Sequence, residues 1–287
     1  VTARAAIAGL ALAITLLCGC SRGEPGSGPS ARADGAPRIV SLSPSTTEAV
    51  FALGAGAALV GRTRHCDHPP EALAVPSVGG YADPDLEAVL GLRPTLVVGA
   101  RGPAGPELER SLRAHRIETF FPPTESVAEV REMLLALGGR IGRSPEAERA
   151  SAALAERVER VRSWAAARAR VRVVVVFEAS PLSVAGPGSY VGELVALAGG
   201  DNAVREGGPY PLIDVERLLV LDPDIIVDAS GMEGGPSAGP RAGWDALRAV
   251  RTGRVRPLAG SAALRPGPRL GQGLADVARA LHAEEPP

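Results

Sequence analysis

Lysine is missing from this 287-residue chain: its 31 basic residues are all arginine, set against 32 acidic ones. The net charge of −1 leaves no basic field to hold a nucleic-acid backbone or an acidic membrane surface, so nucleic acid is not an expected partner. Arginine without lysine reads as codon bias, and arginine abundance alone supports no binding claim. Aromatic residues make up only 3% of the chain, with three Tyr, two Trp and four Phe, so any aromatic placed at a site comes from a small stock. A site for a bare divalent ion would want three or four convergent His or carboxylate ligands spread over two lobes, and with only four His in the chain such an ion is disfavoured as ligand. Enzymatic signatures are also missing. The chain has no Gly-x-Gly-x-x-Gly after a strand, no phosphate-binding P-loop, no nucleophile elbow and no His-Glu-x-x-His helix.

No apolar run reaches the roughly 20 residues needed to cross a bilayer. The longest candidate, Ala5 to Leu17, follows Arg4 and ends in Leu17-Cys18-Gly19-Cys20, which resembles a bacterial lipoprotein signal. Residues 1–20 are therefore read as a leader and Cys20 as the lipidated residue, giving an exported protein that touches the membrane through its lipid anchor only. With Cys18 removed and Cys20 acylated, Cys66 is the single remaining thiol and no intramolecular disulfide can form. Residues 21–37 are rich in Gly, Pro and Ser and read as a flexible tether.

Beyond residue 37, β-branched runs alternate with amphipathic segments, the pattern of an α/β protein with mostly parallel strands. Strands are expected at 38–42, 58–61, 95–100, 117–121, 172–177, 225–228 and 255–259. Ser45 and Glu48 fit a capping box for a helix ending at Gly54. From Pro145 to Ala169 no breaker intervenes, and Leu154, Val158, Val161 and Ala165 recur along one face, so one long helix is expected.

An internal repeat divides the chain around that helix. The stretch from Pro84 to Val98 returns from Ile213 to Val227, each copy with Asp as a helix cap (Asp85, Asp214), Glu two residues later (Glu87, Glu216), and Pro before a buried strand. A weaker echo pairs Glu48–Gly54 with Glu193–Gly199. The expected architecture is two Rossmann-like α/β lobes joined by one long rigid helix: a lobe over 38–144, a linker helix over 145–170 and a second lobe over 171–287.

Several motifs share order and spacing with one known family. Arg38-Ile-Val-Ser-Leu-Ser-Pro-Ser-Thr-Thr-Glu48, Cys66-Asp-His-Pro-Pro70, Val78-Gly-Gly-Tyr81, the two Asp-x-Glu helix starts, Leu197-Ala-Gly-Gly-Asp-Asn202 and Arg265-Pro-Gly-Pro-Arg269 together resemble the class III periplasmic binding proteins. These are helical-backbone receptors for cobalamin, haem and ferric siderophores, and the likeness is strongest to the cobalamin-binding branch. The resemblance implies a monomeric binding protein rather than an enzyme. Ligand is held between the lobes and handed to an ABC importer, a permease dimer with its ATPase, onto which Glu87 and Glu216 dock.

Loops at the carboxyl ends of the strands are the expected ligand contacts. The candidates are His65, His68 and Tyr81 in the first lobe, and Tyr190, Tyr210 and Arg265 in the second. Arg265 would face a carboxylate or phosphate, while Cys66 is expected as a small buried residue. Ala100, Leu182 and Ala262 stand about where relatives carry Trp or Phe, which implies a smaller or more polar pocket. Cobalamin ranks first as ligand, with other corrinoids, haem and ferric siderophores open and no resident cofactor expected. A two-lobed metal-chelate enzyme or chelatase built on the His65/His68 loop is the rival from another class.

Overall fold

The computed structural model describes residues 37–101, 105–233, 241 and 243–287. The expected leader with Cys20 and all of the tether but Pro37 lie outside these residues. The first lobe runs β1 (Ile39–Ser41), α1 (Pro44–Ala52), β2 (Leu59–Arg62), α2 (Leu86–Gly91), β3 (Leu96–Val98), α3 (Gly105–Ala114), β4 (Glu118–Phe120) and α4 (Val127–Arg140). Its four strands form one parallel sheet ordered β2-β1-β3-β4. After α5 (Ser144–Ala166), the second lobe runs β5 (Val171–Ala179), β6 (Leu182–Val184), α6 (Tyr190–Leu197), β7 (Gly200–Asn202), α7 (Val215–Leu221), β8 (Ile225–Asp228), α8 (Arg248–Arg251), β9 (Val255–Pro257) and α9 (Leu270–His282).

The second sheet is organised by its longest strand. One edge of β5 pairs along four residues with β8, which pairs in turn with β9, all parallel. The other edge is shared, with β7 parallel at the start of β5 and β6 antiparallel at its end. Two α/β lobes joined by one long helix, the fold class read from sequence, is the observed architecture.

Strand residues alternate between two buried faces. Leu96 and Val98, Val173 and Val175, and Ile225 and Val227 face a core that spans both lobes, while Val97, Val174 and Ile226 face smaller outer clusters. Burial on both faces is why these strands read as continuous apolar runs. The shared core continues through α1, α4, α5, α6 and α9, so the lobes meet through packed side chains as well as through the spacer. Helix α5, about 35 Å long at 1.5 Å per residue, buries Ala147, Ser151, Leu154, Val161 and Ala165 on one face. It packs against α4 of the first lobe and α9 of the second.

The helix starts are set locally. Asp85 caps α2 by accepting from the Ala88 N–H at 3.0 Å, and Asp214 caps α7 by accepting from the Arg217 N–H at 2.7 Å. At α1 the expected Ser45/Glu48 box does not form. Pro44 opens the helix and Ser43 caps it, accepting from the Thr46 N–H at 3.4 Å, an arrangement that needs no side chain at Glu48.

Candidate functional site

Segments of both lobes meet where all three tyrosines of the chain gather, Tyr81 and Tyr210 on loops and Tyr190 as the first residue of α6. Tyr81 follows β2, Tyr190 opens α6 beyond β6, and Tyr210 lies between β7 and α7. Glu125, in the loop from β4 to α4, draws them together. Its Oε2 accepts a hydrogen bond from the Tyr210 hydroxyl at 2.6 Å, a bond that crosses from one lobe to the other. The Glu125 charge also raises the proton affinity of Tyr81 and Tyr190. Burial pushes all three phenols above the ordinary tyrosine value. Glu125 adds to the shift of each, and the hydrogen bond makes it largest at Tyr210.

Each phenol is held differently. Tyr190 is buried, whereas Tyr210 keeps 43% of its surface exposed and packs edge-on against Phe177 at 5.8 Å. The Tyr81 hydroxyl donates to the carbonyl of Arg101 at 2.6 Å. Beside it lies a cavity of about 340 Å³ whose wall includes Leu42, Tyr81, Ala100, Arg101, Glu109 and Phe121. Of the three positions where an aromatic side chain is lacking, Ala100 lines this cavity and the other two do not. Leu182 is buried in the outer cluster of the second lobe and Ala262 is buried at the start of a 3₁₀ turn.

The remaining candidates have other neighbours. His65 is exposed and His68 half-buried on the loop after β2. Cys66 between them is fully buried, its Sγ 3.1 Å from the Thr63 hydroxyl. Among the described residues no three His, Cys, Asp or Glu side chains gather as metal ligands. Arg265, expected to face an anionic ligand group, is already engaged. Its Nη1 donates to Asp67 Oδ1 at 2.5 Å and to Glu48 Oε1 at 3.3 Å, with only 15% of the side chain exposed. That hydrogen bond from Arg265 holds the Asp67 carboxyl below its usual range.

Arg265 belongs to a brace between the lobes that sequence reading missed. Glu48, 2% exposed on α1, takes two hydrogen bonds from Arg269 at the head of α9, at 2.9 and 2.5 Å. Gly267, midway between the two arginines, packs so closely on α1 that a Cβ there would stand 3.1 Å from the Ser45 carbonyl oxygen. The second lobe answers in kind: Glu193 of α6 accepts from the Val127 N–H at the start of α4, at 2.8 Å. Glu48 and Glu193 are the paired residues of the weaker repeat. Each first helix of a lobe thus carries a carboxylate that reaches into the other lobe, and the echo was the available signal for both.

Glu87 and Glu216 are exposed in the first turns of α2 and α7. Each helix runs back to feed a parallel strand, β3 or β8, so its N-terminus lies at the carboxyl edge of its sheet. Both glutamates therefore stand at the edges from which the tyrosine loops emerge. A carboxylate there is also stabilised by the positive end of the helix dipole.

Comparison with known proteins places this geometry in context. Residues 39–261 match the family described as periplasmic binding protein. The vitamin B12-binding protein of Salmonella typhimurium is 29% identical over 195 residues, covering 68% of this chain and 73% of that protein. A periplasmic heme-binding protein from Pseudomonas aeruginosa superposes with a TM-score of 0.77 at 29% identity, covering 88% of this chain and 94% of the other. The periplasmic vitamin B12-binding protein BtuF of Vibrio cholerae superposes with a TM-score of 0.75 at 26% identity, covering 86% and 97%.

Proposed function

The chain belongs to the periplasmic binding protein family, and from that premise we propose that it captures cobalamin or a related corrinoid between its lobes and delivers it to an ABC importer. The observation that carries this reading is the use of the tyrosines. A chain with only three gathers all of them around Glu125, from both lobes, with Tyr81 and Tyr210 partly open to solvent and Tyr190 buried behind them. A phenol covers an apolar ring face while its hydroxyl bonds to polar groups at the ring's edge, which suits a large amide-fringed macrocycle. The cavity beside Tyr81 takes a side group or ring edge of such a ligand, and the facing lobe covers the rest.

Delivery rests on Glu87 and Glu216, the exposed acids at the carboxyl edges of the two sheets, as the points that dock on the permease. Lipidation at Cys20 would keep the protein at the outer face of the membrane beside that permease. Among the described residues no helix is long and apolar enough to cross a membrane. The relatives are binding proteins, which speaks against the chelatase reading. Haem is the second reading of the ligand, favoured by the likeness to the Pseudomonas aeruginosa heme-binding protein.

The test is thermal unfolding of the purified protein with cyanocobalamin, haemin or a ferric siderophore. A ligand at a hundredfold its Kd stabilises the folded state by about 2.7 kcal/mol. Cyanocobalamin is expected to raise the melting temperature. A rise with haemin alone would transfer the assignment to haem, and no rise with any would refute the ligand class.

A further inference from the structure

The charges around the cleft are unequally matched. Arg64 is held by both oxygens of Asp83, at 2.7 and 3.0 Å. Arg265 is held by Asp67 and Glu48, and Arg269 by Glu48. Arg101 donates to the Phe121 carbonyl at 3.3 Å and shares the cavity wall with Glu109. Glu125 differs from the acids in these pairs. Among the described residues its carboxylate is bonded by the neutral Tyr210 hydroxyl and no arginine lies within ion-pair distance. Its loop is anchored, because the Glu125 N–H donates to Glu129 Oε2 at 2.7 Å. A carboxylate offers about four acceptor sites on two oxygens. It can therefore keep the Tyr210 bond and still receive a donor from a ligand.

We propose that Glu125 is the charge filter of the cleft: it accepts hydrogen bonds from N–H donors on a ligand's rim and repels rims that carry a carboxylate there. The proposal rests on the reading that the cleft between the lobes holds the ligand, and it adds the chemistry by which that ligand is chosen. A primary amide on the rim gains an acceptor held in place. A carboxylate at the same point meets a like charge whose counter-cation is missing; Glu125 is exposed until a ligand covers it, and once covered such repulsion lowers affinity about tenfold. Arg101 is the competing influence, since it stands on the wall of the first lobe and favours the anion.

The experiment measures dissociation constants by equilibrium dialysis for two matched sets of probes. One set is cyanocobalamin and the monocarboxylic acids made by hydrolysing its peripheral amides one at a time. The other is haemin and its dimethyl ester. Wild-type protein is expected to bind the neutral member about tenfold tighter than at least one acid of any set it recognises. In Glu125→Gln the preference for the neutral member should vanish, leaving the two within about twofold or the acid the tighter, because the repelling charge is gone while Arg101 remains. Arg101→Gln should widen the wild-type ratio.

An unchanged ratio in Glu125→Gln, or equal binding of all acids by wild type, would overturn the filter. Loss of the ratio in Arg101→Gln alone would assign it to Arg101 and overturn it likewise. If only the haem set binds and the ester is preferred, the corrinoid reading fails while the filter stands. If no probe binds, both fall.

Discussion

Replacing Glu48 with glutamine keeps the shape of the brace between the lobes and removes its charge. The wild-type carboxylate is 2% exposed and takes three hydrogen bonds, two from Arg269 and one from Arg265. Removing one partner of a buried ion pair typically costs about 3–5 kcal/mol. Two features reduce that cost here. Arg265 retains Asp67, and Arg269 is 23% exposed and can be solvated in part. The expected loss is therefore about 2–3 kcal/mol. For a folded body of this size each kcal/mol moves the midpoint by roughly 2–4 °C, so the melting temperature should fall by about 5–10 °C. Thermal and urea unfolding of Glu48→Gln, Arg269→Gln and the double variant would measure both the loss and the coupling of the pair. As a surface reference, Glu159→Gln breaks the solvent-exposed pair with Arg162 and should leave the midpoint unshifted. A Glu48→Gln midpoint equal to that of the reference, or strict additivity in the cycle, would refute the brace.

Three further outcomes follow from the same geometry. Because burial and Glu125 raise all three tyrosines, absorbance titration should show no tyrosinate at the ordinary value near pH 10 while the fold persists, and a return to that value in denaturant. The sign is that of a folded-state pKa raised above the unfolded one. The stabilisation is complete below about pH 10 and is lost as pH rises toward the folded-state values; tyrosinate appearing at pH 10 in native protein would contradict the gathering of the three phenols around Glu125. Gly267→Ala pushes a methyl against the Ser45 backbone and should destabilise by about 1–3 kcal/mol in urea unfolding, whereas an unchanged midpoint would show that the two segments do not touch. Glu87→Arg with Glu216→Arg should leave ligand affinity as it is and abolish uptake through the cognate importer; continued uptake would refute docking by these acids.

What the sequence made legible was local. The Asp85 and Asp214 caps, the apolar strand over 225–228 and the unbroken helix through Leu154 and Val161 are each written within a few residues, and each is present. Strands β6 and β7 escaped notice because Leu182-Ser-Val184 and Gly200-Asp-Asn202 have little intrinsic strand preference. They are strands because nine-residue β5 offers them an edge, a tertiary effect that outweighs propensity. Arg265 shows the same limit at the site. Nothing near it in sequence reveals that its charge is met by Asp67 and Glu48, 198 and 217 residues away. Glu125 was overlooked for a related reason: its partner Tyr210 lies 85 residues on, across the cleft.

The central claim is that the tyrosine-lined space between the lobes is where the ligand sits. Calorimetric titration of cyanocobalamin into wild-type protein and into Tyr81→Ala/Tyr210→Ala tests it most directly. One molecule bound per chain, with affinity falling about tenfold or more in the double variant as two aromatic contacts are lost, is the predicted result. Wild-type affinity in the variant would contradict it, because the ligand would then be held elsewhere on the molecule.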